Sequence, residues 1–375
     1  VVSGWPATDG AVVERLLRLD VGAYVRSRNE VDGAVSRLSP YITHGFTSVP
    51  EVIADIRRRT ELADTHKFVF ELAWREYFHH LWGRCSTAIF EAFHPPPGSG
   101  YQTRIPEDLL GACTGVKVID ETVKTLYAAG YIHNHARMWL ASYMVHFRKV
   151  DWLSAADWMY GYLLDGDLPS NHLSWQWVAG TLTRRPYLFN AENVARYAPS
   201  LASWGTAIDC DYDRCREIAT SHEDVGPERV RPIPVTPPAL MPTPTELSAT
   251  SSRLARGKIA LIHPWALCRQ RDSPVVLVVA DFHERWPWSG MRWRFLQERI
   301  AQLGAAALVV RATEAEHGIT DISGPVMAAD HPIYDEVLAK IAGSIVPVPR
   351  YFPDPQILCR SFSFFWHHFC AKGLA

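Results

Sequence analysis

Apolar residues recur every three to four positions through most of the N-terminal half, the spacing that turns one side of a helix toward a core. ERLLRL, VPEVIADIRRR, KFVFELAWREYFHHLW, VIDETVKTLYAAG, NHARMWLASYMVHF and LSAADWMYGYLL all follow it. Gly130 closes the fourth of these as a C-cap. Asp167 is placed to cap a further helix, with Pro169 in its first turn. Between 226 and 244 the pattern stops, and Pro227, Pro232, Pro234, Pro237, Pro238, Pro242 and Pro244 predict an extended, semi-rigid linker. Beyond it, the short apolar runs IALIHP, VVLVVA, ALVVRA and SIVPVP predict buried strands, with helices at 294–303 and 334–342. Strands alternating with helices predict a parallel sheet. The expected architecture is a mainly α-helical domain at 1–222, a Pro-rich linker at 223–256 and a small C-terminal α/β domain at 257–375.

Composition narrows the function without naming it. A chain of 375 residues has room for about two domains. The formal net charge of -2 means that any nucleic-acid contact rests on a local patch. Seven cysteines show no CxxC or Cys/His spacing, so no metal is expected and thiols in a reducing compartment are. No secretory signal and no membrane-length apolar run is visible, so the expectation is a soluble, cytoplasmic protein that meets no membrane. Fourteen tryptophans are many for this length. Tryptophan fills cores, but it also stacks on bases and carries electrons.

Helical spacing groups the polar residues on a few faces. Phe68, Glu71, Trp74 and Arg75 fall on one side of their helix, a mixture of an acid, a base and two aromatics. Taken alone, it reads as a surface Glu–Arg pair beside core aromatics. Asn134, Arg137, Met138 and Ala141 share a second face. Asn171, Trp175 and Val178 share a third, where Asn171 by itself reads as a turn or capping residue. Ser36-Arg37-Leu38-Ser39-Pro40 by itself is a helix start.

Taken in order over residues 24–199, these elements resemble the flavin-binding core of the photolyase/cryptochrome family. The resemblance implies a photolyase-type helical domain that binds FAD, active in its reduced form. It places Tyr24, Ser36, Arg37, Leu38 and Ser39 on the adenine and pyrophosphate side. Phe68, Glu71, Arg75, Arg137, Asp165, Asp167 and Asn171 then surround the rest of the cofactor. An Asn171 amide accepting from flavin N5–H suits reduced flavin and the photolyase branch. An Arg137–Asp165 pair at the ring edge favours an anionic flavin. Glu71, Asn134 and Met138 match contacts to a flipped-out pyrimidine dimer, with Trp74 and Trp177 as stacking walls. Trp175 and Trp152 match the inner members of an electron-transfer chain. Arg75, His135, Arg184 and Arg185 stand where DNA contacts are expected, the last two reading equally as a solvated loop.

The sequence departs from the family pattern in several places. Val35 replaces a Thr hydroxyl at the phosphate side, and Phe68 stands where a Trp is common. His135 replaces an Arg and loses a bidentate phosphate clamp, which predicts weaker duplex binding. His133 and His135 are each one residue, about 100° of helix, from the position of an acid catalyst. No Trp fills the outer position of the electron-transfer chain, near Tyr101. Trp82, Trp139, Trp158 or Tyr101 would have to provide another exit. The C-terminal part resembles a reordered, shortened antenna domain and has no Gly-rich dinucleotide loop. The expected function is light-driven splitting of cyclobutane pyrimidine dimers in DNA by a monomer, with single-stranded DNA preferred. The alternative is a cryptochrome-like photoreceptor or DNA-binding flavoprotein that performs no repair.

Overall fold

The computed structural model describes residues 4–226, 233–250, 259–270, 272–313 and 322–370. The six predicted helices correspond to Asp9–Arg18, Val49–Arg57, Lys67–Cys85, Lys117–Ala129, Asn134–Ser142 and Trp152–Tyr162. Gly130 ends the fourth with a left-handed φ of 61°. A side chain there would come within 2.7 Å of Leu164 Cγ, so both backbone and space call for glycine. The fifth differs from expectation. Its regular part stops at Ser142, and Tyr143–Phe147 continue as a wider π-helical turn. All five of those residues are buried, so no amphipathic period in the sequence marks the change.

Two helices carry most of the polar groups of interest. Lys67–Cys85 packs beside Leu168–Ala179, and the latter begins as its sequence predicts. The Asp167 side chain accepts from Ser170 N–H, and Pro169 lies in the first turn.

In the C-terminal part, Ile259–Ile262, Ser273–Val279 and Ala306–Val310 form a three-stranded parallel sheet with the second strand central. Leu261 lies opposite Val275, and Val275 opposite Ala306. Gly290–Leu303 and Pro332–Ile341 are the two predicted helices. The fourth predicted strand is corrected. Ile345–Val346 pairs only with Val326–Met327, outside the main sheet, and Ile345 is exposed. Pro347 and Pro349 follow it and cannot donate to a ladder, which stops the strand after two residues.

One apolar core joins N-terminal helices to the sheet: Val52, Val69 and Tyr77 belong to the same cluster as Val276, Leu277 and Trp293. A second core, around Trp139, Trp152 and Trp175, is built from helices and the loops that join them. Part of the Pro-rich stretch follows the helical surface, where Val235 N–H donates to Gly111 O and Tyr162 OH to Pro238 O. Residues 227–232 and 251–256 of the expected linker lie outside the described residues. Among the described residues, no helix is long and apolar enough to cross a membrane.

Candidate flavin site

The site is built around Asp165-Gly166-Asp167, which leads into the Leu168–Ala179 helix. Arg137 donates twice to Asp165, at 3.0 and 2.8 Å, and Ser39 Oγ donates to the same carboxylate at 2.6 Å. The Asp165 side chain is 3% exposed, so these bonds replace its lost hydration. The Arg137 guanidinium is aimed by its Nε, which donates to Ile132 O.

Asp167 is buried too and accepts from Arg75 at 3.1 Å and from His79 Nε2 at 2.9 Å. Burial alone would raise its pKa. The neighbouring Arg75 and His79 outweigh that and hold the carboxyl far below the usual range. Arg75 also donates to Thr43 Oγ1, whose hydroxyl donates to Asp165 O.

Asn171 lies on the next turn, and its Nδ2 donates to Ala156 O at 2.9 Å. Only the amide nitrogen can donate to a carbonyl, so this bond fixes the flip. Oδ1 is then turned away from Ala156 and remains an acceptor. On the facing helix, Asn134 is exposed and its Nδ2 approaches Met138 Sδ at 3.7 Å. The two residues expected at a substrate therefore touch each other, one turn apart, on the helix that also carries Arg137.

Glu71 and Trp74 are engaged by the chain itself. Lys67 and Arg28 both pair with Glu71 Oε1, at 2.8 and 3.2 Å. Trp74 lies flat against Phe362, with centroids 3.7 Å apart and planes at 12°. The expectation that Trp74 shares the face of Phe68, Glu71 and Arg75 is corrected. It lies about 100° of helix from Arg75, and Phe70, Trp74 and Tyr77 form a separate aromatic stripe against Phe362.

On the opposite side, Tyr24 meets buried Phe68 edge to face at 5.1 Å. Ser36 Oγ accepts from Leu38 N–H at 3.4 Å and keeps its own hydroxyl proton to donate. Arg37 is exposed with φ 51°, and the Leu38 side chain is buried in the core. The buried Leu38 side chain leaves that residue only its backbone to offer a phosphate, and Ser39 gives its hydroxyl proton to Asp165.

Trp175 and Trp152 are both buried in the helical core, and Tyr101 packs against the same cluster. Trp139 donates to Asn193 and meets His135 edge to face. Trp158 meets Tyr127, whereas Trp82 lies in the other core against His331. Trp177 is half-buried against Tyr187. His133 has a structural role, since its Nδ1 accepts from His135 N–H and caps the helix. Arg184 and Arg185 are exposed. Arg184 borders a hollow of about 350 Å³ with His94, Pro95, Pro97 and Gly180. A second hollow, about 370 Å³, includes Glu76, His79, Trp82, Asp330, His331 and Arg350 and lies apart from the Arg137–Asp165 pair.

Sequence reasoning missed several participants. His79 was within reach of it, one turn beyond Arg75 on the same face. Thr43, Arg28 and Phe362 meet the site only through folding, as does Arg292, whose Nη2 donates to Gly166 O, and no local period points to them.

Residues 68–208 match the model of the FAD binding domain of DNA photolyase. Over those residues the chain is similar to that domain. A deoxyribodipyrimidine photo-lyase of Streptomyces griseus is 34% identical over 154 residues, which is 40% of this chain and 33% of that protein. The chloroplastic/mitochondrial cryptochrome DASH of Ostreococcus tauri is 30% identical over 191 residues, 48% of this chain and 35% of that protein. Among solved structures, a Synechocystis cryptochrome aligns with a TM-score of 0.48 and 25% identity, over 53% of this chain and 44% of that one. The chain thus spans about a third of the length of these curated relatives. The residues present fit a flavin. The Arg137–Asp165 pair with its buried carboxylate, the oriented Asn171 acceptor and the hydroxyl proton of Ser36 are polar groups that a flavin ring and its phosphates would take.

Proposed function

We propose that this chain is an FAD-dependent, light-driven lyase that splits cyclobutane pyrimidine dimers and works best on single-stranded DNA. The reading rests on one observation: the Asn134–Ser142 helix carries Arg137 toward Asp165 and exposes Asn134 beside Met138. Cofactor side and substrate side are thereby fixed to one rigid element, which serves a short-range electron transfer.

Reduced FAD, excited by blue light, would lend the dimer one electron and recover it once the ring has opened. The chain's own groups do the rest. Asn171 Oδ1 would accept a hydrogen bond from the N5–H of a reduced flavin, and Arg137 would keep positive charge beside its ring. Arg75 and His79 hold Asp167 ionised, which keeps the Leu168–Ala179 helix capped under Asn171. Glu71 would meet the dimer edge from its pairs with Lys67 and Arg28, and Asn134 and Met138 would line the same approach. With His135 in place of an Arg and a net charge of -2, duplex phosphates gain little here. Single strands cost least to flip, which supports that preference. We assign the helical part, 1–222, to cofactor and substrate and the α/β part, 257–375, to its support.

Two observations favour the photoreceptor reading. Phe362 covers one face of Trp74, and Lys67 with Arg28 occupies Glu71. Replacing Glu71 by Ala tests its assigned role. A repair enzyme loses repair yield and keeps its flavin, whereas loss of flavin in this variant makes Glu71 structural and removes its assigned role.

A further inference from the structure

Arg292 lies outside the matched domain, on the Gly290–Leu303 helix, and is completely buried. It occupies the third position of that helix, and its own N–H donates to the Ser289 cap at 3.3 Å. A cation in a first helical turn faces the positive end of the helix dipole, so the helix does not account for the charge. The side chain reaches instead to the cofactor side: Nη2 donates to Gly166 O at 2.6 Å. Its guanidinium sits over the Trp288 ring at 3.8 Å and near the Tyr160 ring at 5.0 Å. Nε and Nη1 are buried without a hydrogen-bond partner. A side chain at Gly166 would come within 2.5 Å of Nη1 and 2.9 Å of Tyr160 O, so the glycine between the two aspartates is what admits this guanidinium.

We propose that Arg292 is a positioning residue of the flavin site. It fixes the Asp165-Gly166-Asp167 turn from behind and supplies a third guanidinium that raises the preference for reduced, anionic FAD. The charge balance supports it. Asp165 and Asp167 are matched by Arg137 and Arg75, and Arg292 is the excess positive charge. Burial works against the Arg292 charge, and Tyr160, Asp165 and Asp167 work for it, which ties the turn and the guanidinium together. The inference rests on the flavin reading above.

Its test is the ratio of affinities for reduced and oxidised FAD in the full chain, measured for wild type, Arg292→Gln and Arg292→Lys. Gln keeps a donor for Gly166 O and removes the charge; Lys keeps the charge. The Gln variant is expected to lower the reduced-over-oxidised preference about tenfold, equivalent to a midpoint potential about 30 mV more negative for a two-electron couple. The Lys variant should stay within about twofold of wild type. A purely structural role would weaken both redox forms equally, and an unchanged ratio in the Gln variant overturns the proposal. Should the Gln variant not fold, Arg292→Met, which also removes the charge, takes its place: a tenfold loss of the ratio supports the proposal, and an unchanged ratio overturns it. A wild-type chain that takes up no FAD defeats the flavin reading itself, which is a different result from a flavin-loaded chain indifferent to Arg292.

Discussion

Phe362 lies parallel to Trp74 at 3.7 Å, so a residue near the C-terminal end covers the ring that would stack on a flipped base. Phe362 is buried, and replacing a buried Phe by Ala costs about 3 kcal/mol. The Phe362→Ala chain should therefore melt earlier, and Trp74 should become open to an oxidising footprint read by mass spectrometry. An unchanged footprint at Trp74 would mean that other residues close over the ring.

Arg137 and Asp165 form a pair in which the carboxylate is almost fully buried. Removing one partner leaves the other charge short of compensation, at a cost of about 3 kcal/mol. Arg137→Met should lose about that much in urea unfolding without FAD, and should also lose affinity for FAD. A variant of wild-type stability would show that Ser39 alone satisfies Asp165.

Four buried histidines predict acid sensitivity. Burial depresses His331 to about 3, and His133, His146 and His263 to about 4, from the ordinary 6.5. For His133, the neighbouring His135 adds to the effect of burial. The folded chain then binds fewer protons than the unfolded chain between these values. Stability is complete above about pH 6.5 and falls as the pH drops through the window below it. Each such ring contributes ~1.4 kcal/mol per pH unit. Urea unfolding at pH 6.5 and 5.5 should differ by at least about 3 kcal/mol, and equal midpoints would show that these rings titrate normally.

Much of this site could be read from the sequence because its parts are local. Asp167 as a cap, Pro169 in the first turn and Gly130 as a C-cap follow from backbone chemistry within a few residues. Asn134 and Met138 share a face through helical period alone. Period also misled. Trp74 was grouped with Arg75 although about 100° separates them, and the apolar Phe362 claims that side of the helix. Arg292 and Phe362 were invisible because their partners lie more than a hundred residues away and nothing local marks a side chain for distant use. The short Ile345–Val346 strand was overestimated because apolar residues suggested burial while the flanking prolines stopped the ladder.

If this chain is the proposed lyase, it passes light energy from reduced FAD to a DNA lesion. That transfer is tested by illuminating the reduced, FAD-loaded protein with blue light in the presence of oligonucleotides carrying one thymine dimer, single-stranded and duplex, and following thymine absorbance. Recovery is expected in the light and not in the dark, and faster on the single strand. No recovery on either substrate, with FAD bound and reduced throughout, would contradict the lyase reading and leave the photoreceptor reading in its place.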